Sequence, residues 1–243
     1  MKRIFLAMVL GFGLLNAQAQ NEKNIVIDAN AEARSVSGFT AIEVSGSIDL
    51  FLSQGTEEGV AISASTDEIK QRIKTEIKGT TLHIYFDGRG LNWKNWGNHR
   101  MKAYVTFKTL NKIEASGACN VKAIESIKQP ELKIEMSGAS DFTGNITVQK
   151  LRIDASGASN IKISGSAGEA NIDASGACTI RAYDLKTDMC KTNASGGSNV
   201  RITVNKELNA QASGGSNVFF KGTGLIRDIS SSGGASIKRK TED

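Results

Sequence analysis

A single phrase recurs seven times in the second half of the chain: alternating apolar and polar residues, a Ser-Gly pair, then alternation again. Leu151 to Ile163 shows it in full, as Leu-Arg-Ile-Asp-Ala-Ser-Gly-Ala-Ser-Asn-Ile-Lys-Ile. Alternation with a period of two marks a half-buried strand, so each copy reads as strand, corner, strand. The corner glycines are Gly117, Gly138, Gly157, Gly176, Gly196, Gly214 and Gly233, spaced 18 to 21 residues apart. A unit this short cannot bury its apolar side alone and must stack on copies of itself. The expected fold is all-β, a single-stranded parallel β-helix whose coils take roughly 19 to 20 residues. An earlier copy stands at Ile42 to Leu52, around Gly46.

Aligned on their glycines, the copies separate inside from outside. Four residues before the glycine stand Ile113, Ile134, Ile153, Ile172, Thr192, Ala210 and Ile229; four after it stand Val121, Phe142, Ile161, Ile180, Val200, Val218 and Ile237. Both slots are expected to face the core. A serine precedes every corner glycine, and Asn120, Asp141, Asn160, Thr179, Asn199, Asn217 and Ser236 follow it by three. Glycine suits a corner that takes positive φ or brings chains close. Stacked Asn side chains can hydrogen-bond from copy to copy. The glycine row and the row of Asn120, Asn160, Asn199 and Asn217 are therefore read as a structural corner ladder, because no acid, base or metal partner recurs beside them.

Three rows point outward. Lys112, Lys133, Arg152, Asn171, Lys191, Asn209 and Asp228 stand five before the glycine, and Glu114, Glu135, Asp154, Asp173, Asn193, Gln211 and Ser230 three before it. These two neutralise each other. The row five after the glycine (Lys122, Thr143, Lys162, Arg181, Arg201, Phe219, Lys238) is largely basic. It reads as a solvated face whose charges oppose aggregation, or as a face that could meet an anionic polymer.

The N-terminus sets the compartment. Met1-Lys2-Arg3, an apolar run from Ile4 to Leu15 and Ala17-Gln18-Ala19 predict a secretory signal peptide over 1–19. The apolar run is too short to span a bilayer, which needs about 20 residues, and no later run could do so. Periplasm, outer-membrane surface and extracellular space all remain open. Loss of Lys2 and Arg3 leaves 28 basic against 25 acidic residues, a net charge of +3. That is too mild and too dispersed for nucleic-acid binding. Cys119 and Cys178 share one repeat slot three coils apart, roughly 14 Å at about 4.8 Å per rung, beyond the reach of about 7 Å for a disulfide. Cys190 shares a slot with Leu132, Leu151 and Leu208 and is expected as a buried thiol.

The predicted organisation is a polar lead-in over 20–36, a β-helix domain over 37–239, and a charged tail over 240–243. Within the domain, 37–109 holds N-terminal strands, a short helix at Thr66 to Ile73 with Thr66 as N-cap, and a loop; 110–239 holds the regular coils. The loop, Gly88 to Arg100, carries both tryptophans. Trp93 and Trp96, flanked by Asn92 and Asn95, are the candidate ligand-binding residues: aromatic rings pack on apolar sugar faces while amides satisfy hydroxyls. The competing reading is a cap over one end of the solenoid. A polysaccharide-cleaving enzyme is the alternative function, but Asp154 and Asp173 lack an accompanying constellation, and His83 and His99 are the sole histidines. No catalytic residue, metal or cofactor is expected. A self-associating structural protein of the envelope is the third reading.

The export signal and the repeated Ser-Gly-Ala-Ser-Asn-Ile and Ser-Gly-Gly-Ser-Asn-Val corners resemble the auto-transporter adhesin head GIN domain family of Bacteroidetes-type bacteria. The likeness runs from about Phe39 to Lys238 and includes the Gly46 copy, Thr81-Leu82-His83-Ile84 and Leu110-Asn111-Lys112-Ile113. It implies a right-handed parallel β-helix, envelope or surface placement, adhesin-like binding of a glycan or protein, and homo-oligomerisation.

Overall fold

The computed structural model describes residues 28–91 and 99–240. The predicted signal peptide and Asn92, Trp93, Asn95 and Trp96 lie outside these described residues. The chain folds as a parallel β-helix. Its regular coils comprise β8 (Lys112–Ser116), β9 (Asn120–Ala123), β10 (Ile127–Met136), β11 (Asp141–Ala155), β12 (Asn160–Ala174), β13 (Thr179–Ala194) and β14 (Asn199–Ala212), with β15 (Asn217–Lys221), β16 (Leu225–Ser231) and β17 (Ser236–Arg239) closing the stack. All neighbouring pairs in this stack are parallel, and register shifts at Lys162/Gly165, Ala182/Lys186, Thr187/Met189 and Leu208/Asn209 absorb the uneven coil lengths, so that corner stands over corner.

Packing follows from that register. Ile113, Ile134, Ile153 and Ile172 stand one over another and are fully buried, as are Val121, Phe142, Ile161, Ile180, Val200 and Val218. Thr192 occupies the same column between Ile172 and Ala210, buried and with no partner for its hydroxyl. Cys190 lies between Ala170 and Leu208, and burial pushes its thiol up to about 12. Cys119 and Cys178 are likewise buried, each in the slot two residues after a corner glycine.

That slot explains the second serine of the phrase. Ser140, Ser159, Ser198 and Ser216 are fully buried. The Ser159 hydroxyl donates to Ser156 O at 2.9 Å and that of Ser216 to Ser213 O at 2.8 Å, each closing its own corner from within. Gly157 opens its turn at φ 72°. A Cβ there would stand 2.4 Å from Gly138 O, which accepts the Ala158 N–H at 2.7 Å. The backbone ladder therefore continues through the corner, and side chains are excluded by contact as well as by φ.

The N-terminal rungs are threaded out of order. β2 (Ala41–Ser45) and β3 (Asp49–Gln54), the early copy, stack directly beneath β8 and β9. On their other side they receive, again in parallel, β6 (Thr81–Phe86) and β7 (Met101–Phe107), which come later in the chain. Beyond these, β4 (Gly59–Ala64) and β5 (Ile73–Lys78), joined by α1 (Asp67–Arg72), pair antiparallel with β7 and β6. Thr66 caps α1 by accepting the Ile69 N–H at 3.3 Å. The reversal of direction covers this end of the stack. Residues from 28 to 36, within the expected polar lead-in, are pinned. β1 (Glu32–Arg34) adds antiparallel to β4, and the Asp28 carboxylate accepts from the Tyr104 hydroxyl at 2.9 Å.

The opposite end is open. β16 is exposed throughout, leaving Leu225, Ile226 and Ile229 at 66%, 48% and 38% exposure. Just before the expected charged tail, Lys238 and Arg239 belong to the last strand, and Arg239 reaches back to Gly222 O and Gly224 O. Among the described residues no helix is long and apolar enough to cross a membrane.

Candidate functional site

The corner edge of the solenoid carries a groove of about 630 Å³. One wall is the row three before each glycine, the other the serines beside it, with Ala155, Ala174, Ala194 and Ala212 as floor. Over the rungs from Glu114 to Ser230 it extends about 29 Å at about 4.8 Å per rung. The shape follows directly from the repeat. Small residues at a tight corner leave a hollow, and in-register stacking turns one hollow into a channel.

Its electrostatics change along its length. Lys112 pairs with Glu114 of its own coil at 2.7 Å and with Glu135 of the next. Lys133 repeats the step to Glu135 and Asp154, and Arg152 to Asp154 and Asp173. The result is a zigzag of ion pairs in which every cation is shared by two rungs. Burial, the largest single effect on Glu135, disfavours its charge, yet hydrogen bonds from Lys112 and Lys133 together hold its carboxyl below the usual range. Past Asp173, which accepts from Asn193 at 2.7 Å, the wall becomes neutral: Asn193, Gln211, Ser230. The expected mutual neutralisation of the two rows thus takes the form of a ladder, and it covers only half the groove.

The row continues into the reordered N-terminal rungs. Glu43 registers with Glu114 on one side and His83 on the other, and His83 Nδ1 lies 3.0 Å from the Glu43 carboxylate. His83 therefore extends the ladder. One rung of the corner edge is interrupted here. Ser45 registers with Tyr85, and Asp49 with Lys102. Between Phe86 and Met101 the chain inserts 87–100 where the neighbouring coil has only the Gly46-Ser47 corner. The tryptophan loop thus leaves and rejoins the solenoid at the corner edge, on the line of the groove. Its described base is well held. Arg72 donates to Asp87 O and Arg89 O, Arg89 clasps the Asp87 carboxylate and draws it well below the usual range, and His99 Nδ1 lies 3.2 Å from Ser65 Oγ.

The asparagine row stacks in register from Asn120 through Asp141, Asn160, Thr179 and Asn199 to Asn217. Its side chains join at one rung, where Asn160 donates to Asp141 at 3.0 Å, whereas Asn199 Oδ1 is buried without a partner. Backbone register, more than amide bonding, aligns this row. Sequence reasoning missed two things here: the inward serines two after each glycine, whose signal was their interchange with Cys119 and Cys178, and the extension of the groove wall through Glu43 and His83.

Chemically the edge is suited to binding. Asp154 and Asp173, the neighbouring carboxylates, share the Arg152 guanidinium at 2.9 and 3.2 Å. Among the described residues no three His, Cys, Asp or Glu side chains gather as a metal site would require.

Comparison with known proteins gives a consistent picture. A structure described as a "putative adhesin" from Bacteroides fragilis NCTC 9343 shares 24% identity and a TM-score of 0.79, covering 86% of this chain and 96% of its own. One titled "putative lipid binding protein" from Parabacteroides distasonis ATCC 8503 shares 20% and 0.65, over 87% and 98%. A "putative adhesin" from Parabacteroides merdae ATCC 43184 shares 20% and 0.61, over 87% and 95%. At these identities the likeness is one of fold. No match is found among curated proteins. The family model described as "Putative auto-transporter adhesin, head GIN domain" matches residues 38–224, three-quarters of the sequence, and the chain belongs to that family.

Proposed function

We propose that the protein is an exported, non-enzymatic adhesin-type module that binds an extended glycan along its corner edge. The observation that carries this reading is the groove itself. It is long, shallow and walled by hydroxyl, amide and carboxylate groups, the chemistry that satisfies sugar hydroxyls. The strands that the Trp93 and Trp96 segment connects, β6 and β7, meet the same edge at Phe86 and Met101, and the tryptophan rings would supply stacking faces. The family name and the adhesin titles of similar folds support binding over catalysis, and the leader over 1–19 supports placement in the envelope or outside it.

The test is a glycan array probed with the wild-type chain, Trp93→Ala/Trp96→Ala and Asn193→Ala/Gln211→Ala. The reading expects a saturable signal that falls ten-fold or more in both variants. A signal unaffected by either would contradict it.

A further inference from the structure

We propose that a second surface, the face formed by the strands that follow each corner, binds an acidic polysaccharide laid along the solenoid axis over Lys162, Arg181 and Arg201. These three are mutual register partners on β12, β13 and β14, followed in the same column by Phe219 and Lys238. In-register stacking places their charges about 4.8 Å apart per rung, and like charges directly opposite on neighbouring strands repel.

The contrast with the corner edge carries the argument. There the same chain gives Lys112, Lys133 and Arg152 two carboxylates each. Here, among the described residues, Lys162, Arg181 and Arg201 pair with none, and Asp141 at the margin is taken by Asn160. The nearest supplements add cations: Lys221 sits over the Tyr183 ring at 5.2 Å and Lys240 over Phe219 at 4.9 Å. The adjoining Asn199 and Asn217 stand on the same face, two residues before Arg201 and Phe219. A single-file column of unpaired cations beside amides and rings fits a linear chain carrying carboxylate or sulfate on successive sugars. The column from Lys162 to Lys238 offers no exposed large apolar side chain to enter a lipid surface.

The experiment measures binding of the full chain to polygalacturonate and to heparin across a salt series. Dextran serves as uncharged polymer and phosphatidylglycerol vesicles as a planar anionic surface. The variants are K162Q/R181Q/R201Q and, as a control for general charge, K150Q/K206Q, which removes cations paired with Glu131 and Asp188. The expected result is polyanion binding that weakens with salt, ten-fold or more weaker in the triple variant, with the log–log salt slope reduced by about 2 to 3. The control should bind as wild type does. Should the triple variant melt early, R181Q alone should reduce the slope by about 1. The corner-groove signal on neutral glycans, read on the same triple variant, should be unchanged, which separates failure here from failure of the groove. Absence of polyanion binding at low salt, an equal loss in the control, or binding to vesicles alone would each overturn the proposal.

Discussion

Replacing Gly157 by Ala asks whether the corner ladder holds the solenoid together. An L side chain at φ 72° costs about 1 to 2 kcal/mol. The new Cβ would also lie 2.4 Å from Gly138 O and 3.1 Å from Gly138 N. The carbonyl must retreat by about 1 Å to reach ordinary contact, and in doing so it abandons the Ala158 N–H it now accepts at 2.7 Å. Leaving such a group unsatisfied costs about 1 to 3 kcal/mol, so the substitution should destabilise by about 3 kcal/mol or more. Two controls divide the effect. Gly79 has φ 63° but nothing within 4 Å of its Cβ position, so Gly79→Ala should cost only the conformational part, about 1 to 2 kcal/mol. Gly197 stands where other coils carry Ala139, Ala158 and Ala177, with its Cβ position 3.8 Å from Gly176 O. Gly197→Ala should therefore be neutral or stabilise by up to about 1 kcal/mol. Urea unfolding followed by far-ultraviolet circular dichroism ranks the three. If Gly157→Ala proves no worse than Gly79→Ala, close approach between coils is not what fixes glycine at the corner.

Position along the stack should decide the effect of a core truncation. Ile153→Ala, with coils on both sides, should destabilise by about 2 to 5 kcal/mol, and Ile229→Ala in the open last coil by less than about 1 kcal/mol, as read by the same melts. Thr192→Val removes a buried hydroxyl with no partner from the isoleucine column and should stabilise by about 1 kcal/mol; a loss of stability would mean that the hydroxyl is bonded. Because the Glu135 carboxyl is held below its usual range in the fold, its contribution is present above about pH 4.3 and disappears as pH falls through the depressed value. Glu135→Gln should flatten that acid limb of a stability–pH profile and, because Glu135 also holds the Lys133 ammonium above its ordinary range, soften the loss above about pH 10.4 as well.

Much of the fold was legible because the repeat is dictated by burial alone. Ile153 and Ile161 alternate with Arg152 and Lys162, and no arrangement other than stacking hides the first pair while leaving the second wet. The helix at Thr66 was equally local, a cap and two acids in its first turn. Threading order was not legible. Whether β6 and β7 precede or follow β2 and β3 depends on which rung packs beneath which, and Leu82 fits beneath Ile42 no differently from Ile113 above it. The antiparallel reversal at β4 and β5 leaves no local sign either, since alternation is the same in both directions. The groove was half legible: its charged rows were visible in the alignment, but the hollow between them arises from the serine corner, whose shape depends on the inward hydroxyls of Ser159 and Ser216.

The most direct test of the account follows tryptophan emission while a neutral oligosaccharide selected from the glycan array is titrated into the protein, with the sugar's mass recorded at the end point. Trp93 and Trp96 are the two tryptophans of the chain, so emission reports the residues proposed to stack on the sugar. A binding module predicts a saturable change that disappears in Asn193→Ala/Gln211→Ala, with the oligosaccharide recovered intact. Shortened oligosaccharide, or emission that does not respond at saturating sugar, would contradict it.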